Sequence, residues 1–359
     1  MNIMRSDKKN RDNSKTKHKL SLAGLSRIVV SVMLCTICIC SLCACGNKSK
    51  KDSDDIVVCL DWTPNTNHTG LYVALAKGYY EDAGLNVTIV QPPEGGATVM
   101  CASGQAQFAI DAQDTMAAAL DREEPLGITA VAPILQHNTS GIISRKGEGI
   151  TSPKGLVGKT YSTWDSPIEL AIIKYCMEKE DADFSKLNLI PNNITNEPAA
   201  LEAKQTDAVW IFYGWSGINA ELSGVNCDYF AFKDIAPELD YYTPVIIVNN
   251  DYLNANDDKV KAFMEATAKG YEYAAKNPKD AADILLEGDD TGALKGASDL
   301  VYASQEWISN QYLDENGKWG AIDADRWNLF YSWLYENGLT SKDLAGKGFY
   351  NEWNENIEV

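Results

Sequence analysis

Histidine is scarce in this chain, three in 359 residues, and His18 sits in a basic stretch close to the N-terminus. His68 and His137 are all that serve the body of the protein, which excludes a histidine-rich zinc site. Lysine and arginine are also in deficit, 32 against 50 acidic residues, a net charge of −18. Residues 1–44 hold 8 of the basic and 2 of the acidic residues, so the remainder carries 24 against 48, a net charge of −24. That balance argues against nucleic acid as a partner, because such affinity comes largely from phosphates neutralised by basic groups. It says little about a small ligand, since local groups set the charge of a pocket. Usable cysteine is scarcer than its count of nine suggests. Cys35, Cys38, Cys40 and Cys43 lie in one apolar run and Cys45 ends it. Only Cys59, Cys101, Cys176 and Cys227 are left, far apart and without metal-site spacing. They read as small buried hydrophobes rather than a disulfide framework, with a single disulfide left open.

Complete nucleotide-binding and catalytic motifs are missing too. "GLVGKT" (155–160) ends like a phosphate loop, but the full pattern needs glycine at 153, where Pro153 stands. "GEGITSPKG" (147–155) does not complete G-x-G-x-x-G, and "DENGKWGAID" (314–323) lacks calcium-loop spacing. Counting residues leaves a Ser-His-Asp triad open, yet no nucleophile elbow is present. No metal and no cofactor is expected.

What is there begins with a leader. Residues 5–27 carry eight Lys/Arg and two Asp, and the apolar run "IVVSVMLCTICICSLCAC" (28–45) follows. A basic segment before an apolar one is the pattern of a secretory signal, and Met4 is an alternative start to Met1. The run is slightly short of the roughly 20 apolar residues of a stable transmembrane helix. Its end, Leu42-Cys43-Ala44-Cys45, resembles a bacterial lipobox. That resemblance implies cleavage before Cys45, lipid on its thiol, and an extracytoplasmic protein anchored to the outer face of the cell membrane. The other reading is an uncleaved anchor helix. Residues 45–55 then read as a polar, flexible linker.

The remaining about 310 residues exceed one usual core, so two lobes are expected. Strand-like runs at 55–62, 85–93, 106–113 and 126–135 alternate with helical stretches at 69–84, 97–105 and 115–123, and 139–148 closes this half. A second half opens near 149, with a helix at 168–180, a strand ending in "LNLIPNN", a helix at 197–204 and the strand 207–215. The strand 241–251 reads as the crossing back. Helices at 256–276, 278–287, 296–311, 322–337 and 341–345 complete a tail rich in Tyr and Trp. The alternation predicts an α/β fold with mostly parallel strands.

"LDWTPNTNHTGLYVALAKGYYEDAGLNVTIV" (60–90) resembles the opening of the thiamine-pyrimidine-precursor family of solute-binding proteins, relatives of the nitrate, sulfonate and taurine binders of ABC importers. The resemblance runs on through "GQAQFAI", "PLGITAVAPILQ", "ITSPKGLVGKTYSTW" and "ALEAKQTDAVWI", and covers roughly residues 56–285. It implies a two-lobed, type II periplasmic-binding-protein-like fold with a hinge of two strand crossings. Lobe 1 would be 56–148 plus 246–359, and lobe 2 would be 149–245. It further implies a small planar ligand held in the cleft, no catalysis, and an ABC permease with its ATPase as partners. One branch of the family contains suicide enzymes that build the thiamine pyrimidine. They use a histidine near the segment matching 111–118 and a cysteine-rich run near 241; here those segments read "DAQDTMAA" and "DYYTPV".

In open α/β sheets ligands sit outside the carboxyl ends of strands. That rule selects Asp61, Trp62, Asn65 and His68 after the first strand. Trp62 offers a flat face and Asn65 a donor and an acceptor, while His68 either meets ligand or caps its helix. After the third strand it selects Gln113, Asp114 and Thr115, with Asp114 equally a helix N-cap. In the second lobe it selects Trp164 and Glu169, whose carboxylate either faces the cleft or complements its helix N-terminus. Tyr213 and Trp215 form either the second face of an aromatic clamp or cleft wall, and Tyr241 lies just before the return strand. Relatives often carry an acid directly after this Trp. Ser216 stands there, which puts a pyrimidine ligand in doubt.

Overall fold

The computed structural model describes residues 55–354. The signal expected at 1–44, the lipidation expected at Cys45 and the expected linker before Asp55 lie outside the described residues. Among the described residues, no helix is long and apolar enough to cross a membrane.

Two five-stranded sheets organise the chain. The first has the order β2-β1-β3-β10-β4, built from β1 (Asp55–Cys59), β2 (Asn86–Val90), β3 (Phe108–Asp111), β4 (Ile128–Pro133) and β10 (Val245–Asn249). The second has the order β7-β6-β8-β5-β9, from β5 (Ser140–Arg145), β6 (Thr160–Thr163), β7 (Asn188–Pro191), β8 (Ala208–Phe212) and β9 (Cys227–Ala231). In each sheet one strand runs antiparallel to both its neighbours: β10 between β3 and β4, and β5 between β8 and β9. These two strands come from the two crossings between sheets, at residues 134–139 and 241–244.

The β5 placement corrects the lobe boundary expected at 148. Its run "SGIISR" reads as a strand from composition alone. Its partners Phe212 and Ala231, opposite Ser140 and Gly141, lie far along the chain and are chosen by tertiary pairing.

Both faces of the first sheet are covered, as alternation along β10 shows. Ile246 and Val248 pack with Phe263 and Leu285 from the helices Asp257–Lys276 (α9) and Pro278–Gly288 (α10). Val245 and Ile247 pack with Met116 of Gln113–Leu120 (α4) and with Trp327 and Phe330 of Ala324–Glu336 (α12). The strands are therefore near-continuous apolar runs, as strands buried on both faces are. The C-terminal aromatics mostly do this packing; Tyr271 stacks on Trp319 with ring centroids 4.5 Å apart.

Two helical expectations change. The stretch 69–84 splits into Thr69–Ala76 (α1) and Tyr79–Asp82 (α2), because Gly78 adopts the left-handed region at φ 75° and ends the first helix. Residues 341–345 form no helix. The segment is instead held to the first sheet's side by the Asp121 carboxylate, which accepts from the N–H groups of Ser341 and Lys342 at 2.8–2.9 Å.

The helices Ala97–Ala102 (α3), Pro167–Lys179 (α5), Glu197–Glu202 (α6), Ile218–Leu222 (α7), Asn250–Ala255 (α8) and Ser298–Ile308 (α11) complete the set used below. Cys59, Cys101, Cys176 and Cys227 are free thiols. Burial pushes the Cys59 thiol up to about 11 and raises the other three as well. The carboxylates Asp61, Asp111 and Glu180 near the three buried thiols add to the effect, so these are packing residues, not nucleophiles.

Candidate functional site

A cleft of about 370 Å³ opens where strand tips of the two sheets face each other. Its first wall follows β1, where the chain turns into a single 3₁₀ turn, Thr66–His68. Asn65 starts that turn: its Oδ1 accepts from the Asn67 N–H at 2.9 Å, and its own N–H donates to His68 Nδ1 at 3.2 Å. Because Nδ1 accepts, Nε2 carries the imidazole proton and donates to Asp61 Oδ1 at 2.7 Å. His68 is fully buried, so it works from behind the wall, fixing a partly exposed Asp61 carboxylate at the cleft. Trp62 beside it is 62% exposed, an indole held open to the cleft with little burial of its own.

The second wall comes from the other sheet. β8 ends at Phe212, itself 40% exposed, and enters a one-turn π-helix, Tyr213–Gly217. π-Turns inside helices are frequent at functional sites. This one presents Trp215 and Ser216 to the cleft, with Asn219 behind them. Asn193, Ile194, Thr195 and Glu197 arrive from the segment joining β7 to α6. Asn196 caps α6 by accepting from the Ala199 N–H at 3.1 Å, and Glu197 is the first residue of that helix. The Glu197 carboxyl is raised above the usual carboxylate range by burial, against the opposing hydrogen bond from the Ser216 hydroxyl. Thr243 and Pro244 of the return crossing complete the lining, with Asn65 and Asn67. Among the described residues, no lysine, arginine or histidine lines the cleft.

Asp61, Trp62, Asn65 and Trp215 are thus brought together as expected from their strand tips. The others are used elsewhere. Gln113 is fully buried: its Nε2 donates to the Trp327 carbonyl at 2.8 Å and its Oε1 accepts from the Tyr242 N–H at 2.9 Å, tying β3 to the return crossing and to α12. Ala112, not Asp114, is the N-cap of α4, because Asp114 already lies inside the first turn. There desolvation pushes the Asp114 carboxyl up to about 6, against the Thr115 backbone hydrogen bond. Thr115 is exposed on the same helix, outside the lining of this cleft.

Glu169 is buried and its oxygens are taken by Tyr161 at 2.6 Å, Thr163 at 2.7 Å and the Ser166 N–H at 3.3 Å. It closes the N-terminus of α5 rather than facing a ligand. Trp164 packs edge-on against Trp210 at 5.4 Å. Tyr213 is turned back by the π-turn, where its hydroxyl donates to Glu221 and its ring meets Trp307. Phe212, one residue earlier, takes the place on the wall expected for it. Tyr241 is buried and stacks on Phe330 at 4.1 Å.

Glu197 is the cleft carboxylate that sequence reasoning missed. The carboxylate absent at position 216 stands beside Ser216, supplied from another strand tip. The same tip rule applied to β7 points to it, since the strand ends at Pro191 and Glu197 opens the next helix six residues on.

A larger recess of about 860 Å³ lies on the hinge side, between the crossings and the segment 313–326. Two of its charged side chains are tied to the crossings: His137 donates to Asp240 at 2.6 Å, and Arg326 donates to the Gln136 carbonyl.

One buried carboxyl at the end of β3 gives a pH prediction. Burial pushes Asp111 up to about 7, although Thr98 and the Ala112 N–H both donate to it. Between about pH 4 and 7 the folded chain keeps this proton while the unfolded chain has lost it, so stability falls as pH rises across that window. Asp111→Asn is expected to raise Tm by several degrees at pH 8 and by little at pH 4; thermal melts at both values check it.

Two α/β sheets joined by two crossings, with a cleft at their facing strand tips, define a periplasmic-binding-protein fold. A protein of that class, the ligand-binding component of an ABC-type import system from Staphylococcus aureus, superposes with a TM-score of 0.61 at 14% identity, over 84% of this chain and 98% of its own. Within that fold the chain belongs to the NMT1/THI5-like family, whose pattern matches residues 65–281. Among its relatives, the formylaminopyrimidine-binding protein of Halalkalibacterium halodurans is 27% identical over 78% of this chain and 84% of that protein. A 4-amino-5-hydroxymethyl-2-methylpyrimidine phosphate synthase of Saccharomyces cerevisiae is 25% identical over 63% and 68%.

Proposed function

We propose that this protein is the extracytoplasmic substrate-binding component of an ABC importer, and that it captures a small planar aminopyrimidine for delivery to a permease and its ATPase. The observation that carries the reading is the make-up of the cleft. Trp62 and Trp215, from opposite sheets, offer flat apolar faces, and Asp61 and Glu197, also from opposite sheets, offer acceptors. A ring that carries amino or ring N–H groups satisfies both kinds of wall at once. The similarity to a formylaminopyrimidine-binding protein supports the same ligand class.

The sheets act as lobes that close by bending at 134–139 and 241–244. Ligand touching both walls favours the closed state by its differential affinity. No bond is made or broken. An anion such as a sulfonate or nitrate fits poorly, because among the described residues the lining brings two carboxylates and no cationic side chain. The synthase reading is weaker still. The one imidazole at this wall, His68, is buried and occupied by Asn65 and Asp61. The family's catalytic histidine and cysteine run have no counterpart at 111–118 or near 241. Cys45 serves as the lipid anchor in this scheme.

Native mass spectrometry of the purified protein, followed by titration calorimetry with formylaminopyrimidine and with taurine, tests the reading. A co-purified aminopyrimidine and tight binding of the first compound are expected. Binding of taurine alone would sink it.

A further inference from the structure

Behind the cleft, both walls lean on one helix. α11 packs against the Thr66–His68 turn and α10 on the first-sheet side, and against the π-turn and α7 on the second-sheet side. At the junction three hydroxyls are fully buried: Thr66, Ser304 and Tyr312. Thr66 Oγ1 lies 2.6 Å from Ser304 Oγ, and Ser304 donates its single proton to the Gly214 carbonyl. Thr66 must therefore be the donor to Ser304. Tyr312 in turn donates to the Thr66 carbonyl.

The bonds of α11 are lopsided. Gln305 accepts from Thr69 at 2.6 Å and donates to Ser309 at 2.9 Å, and the Ser309 hydroxyl faces the Gln305 carbonyl at 2.7 Å and the Ala274 carbonyl at 3.1 Å. All of these stay with the first sheet and its helices. Toward the second sheet, α11 makes the Ser304–Gly214 hydrogen bond and lays Trp307 over Gly214, where a Cβ would come within 3.1 Å of the indole. Trp307 also meets Tyr213 at 5.2 Å.

We infer that Ser304 is a positioning residue for ligand capture: it latches the π-turn carrying Trp215 and Ser216 to the turn carrying Asn65, through a bond that must break when the lobes part. The purpose of the latch rests on the solute-binding reading above; its existence does not. The latch is made only of this chain's own groups, so it is expected to favour the closed state in ligand-free protein as well. Separation of the lobes takes the donor from the buried Gly214 carbonyl and the acceptor from the Ser304 proton, which raises the barrier to release.

The full-length protein with nitroxide labels at Val99→Cys and Leu222→Cys, in a background with Cys35, Cys38, Cys40, Cys43, Cys45 and Cys227 replaced by serine, provides the test by double electron–electron resonance. Ligand-free parent is expected to show a closed population, and Ser304→Ala to shift it to longer distances. Thr66→Val, which removes the donor to Ser304 at nearly constant volume, is expected to shift it in the same direction, and Thr66→Ser to restore it. With formylaminopyrimidine as probe, release from Ser304→Ala is expected to be about tenfold faster. A ligand-free parent that is wholly open overturns the inference. So does a folded Ser304→Ala, or a folded Thr66→Val should the former not fold, whose distances match the parent. If the probe fails to bind the parent, the ligand assignment falls, while the ligand-free distances still decide the latch.

Discussion

Trp62→Ala is expected to raise the Kd for formylaminopyrimidine ten- to a hundredfold and to leave Tm almost unchanged. The indole is 62% exposed and belongs to none of the buried clusters, so its removal opens no cavity in the core. What it does lose is a stacking face, and stacking of a heteroaromatic base on an aromatic side chain is worth about 1–3 kcal/mol by alanine substitution. Trp215→Ala should weaken binding by a similar factor but also lower Tm, since Trp215 is partly buried against the cluster that includes Ile308. Calorimetric titration beside thermal melts separates the two effects. An unchanged Kd for Trp62→Ala would mean that the ring lies elsewhere.

Glu197→Gln is expected to cost about ten- to a hundredfold in affinity, the range of a charge-assisted hydrogen bond of about 1.5–3 kcal/mol. The substitution keeps shape and keeps an acceptor for the Ser216 hydroxyl, so the loss reports charge rather than packing. The pH dependence gives a second check. Burial raises the Glu197 carboxyl, so its ionised form is lost earlier on acidification than that of an ordinary carboxylate. Binding by the parent should weaken as pH falls through that raised value, and the Glu197→Gln variant should lack this part of the profile. A parent whose affinity is flat from pH 4 to 8 would remove Glu197 from the site.

Much of the fold was legible because burial leaves a period in the sequence. The strands β1, β3, β4, β8 and β10 are short apolar runs between turn residues, and the long C-terminal helices show their repeats. The tip rule then led from β1 to Asp61, Trp62 and Asn65, and from β8 to Trp215. It reached no further where one residue type serves two purposes. Gln113, Glu169 and Tyr241 have the chemistry of ligand readers, and each spends it on the protein's own backbone or side chains. A buried amide or carboxylate must find partners, and nothing local tells whether those partners will be a ligand or a neighbouring helix. Tyr213 and Phe212 exchanged roles for a related reason. A π-turn shifts the phase of side chains by a fraction of a residue, and hydrophobic pattern does not register it.

The sequence by itself determined the alternation of strands and helices, the acidic surface, the family, and which strand tips carry indole and amide groups. These follow from local composition and from spacing along the chain. Only the tertiary structure decided that β5 joins the second sheet, that Glu197 supplies the carboxylate absent at 216, that His68 stands behind Asp61, and that Ser304 reaches across to Gly214. Each of those joins residues distant along the chain, through pairings of a few ångströms set by the packing of the whole molecule.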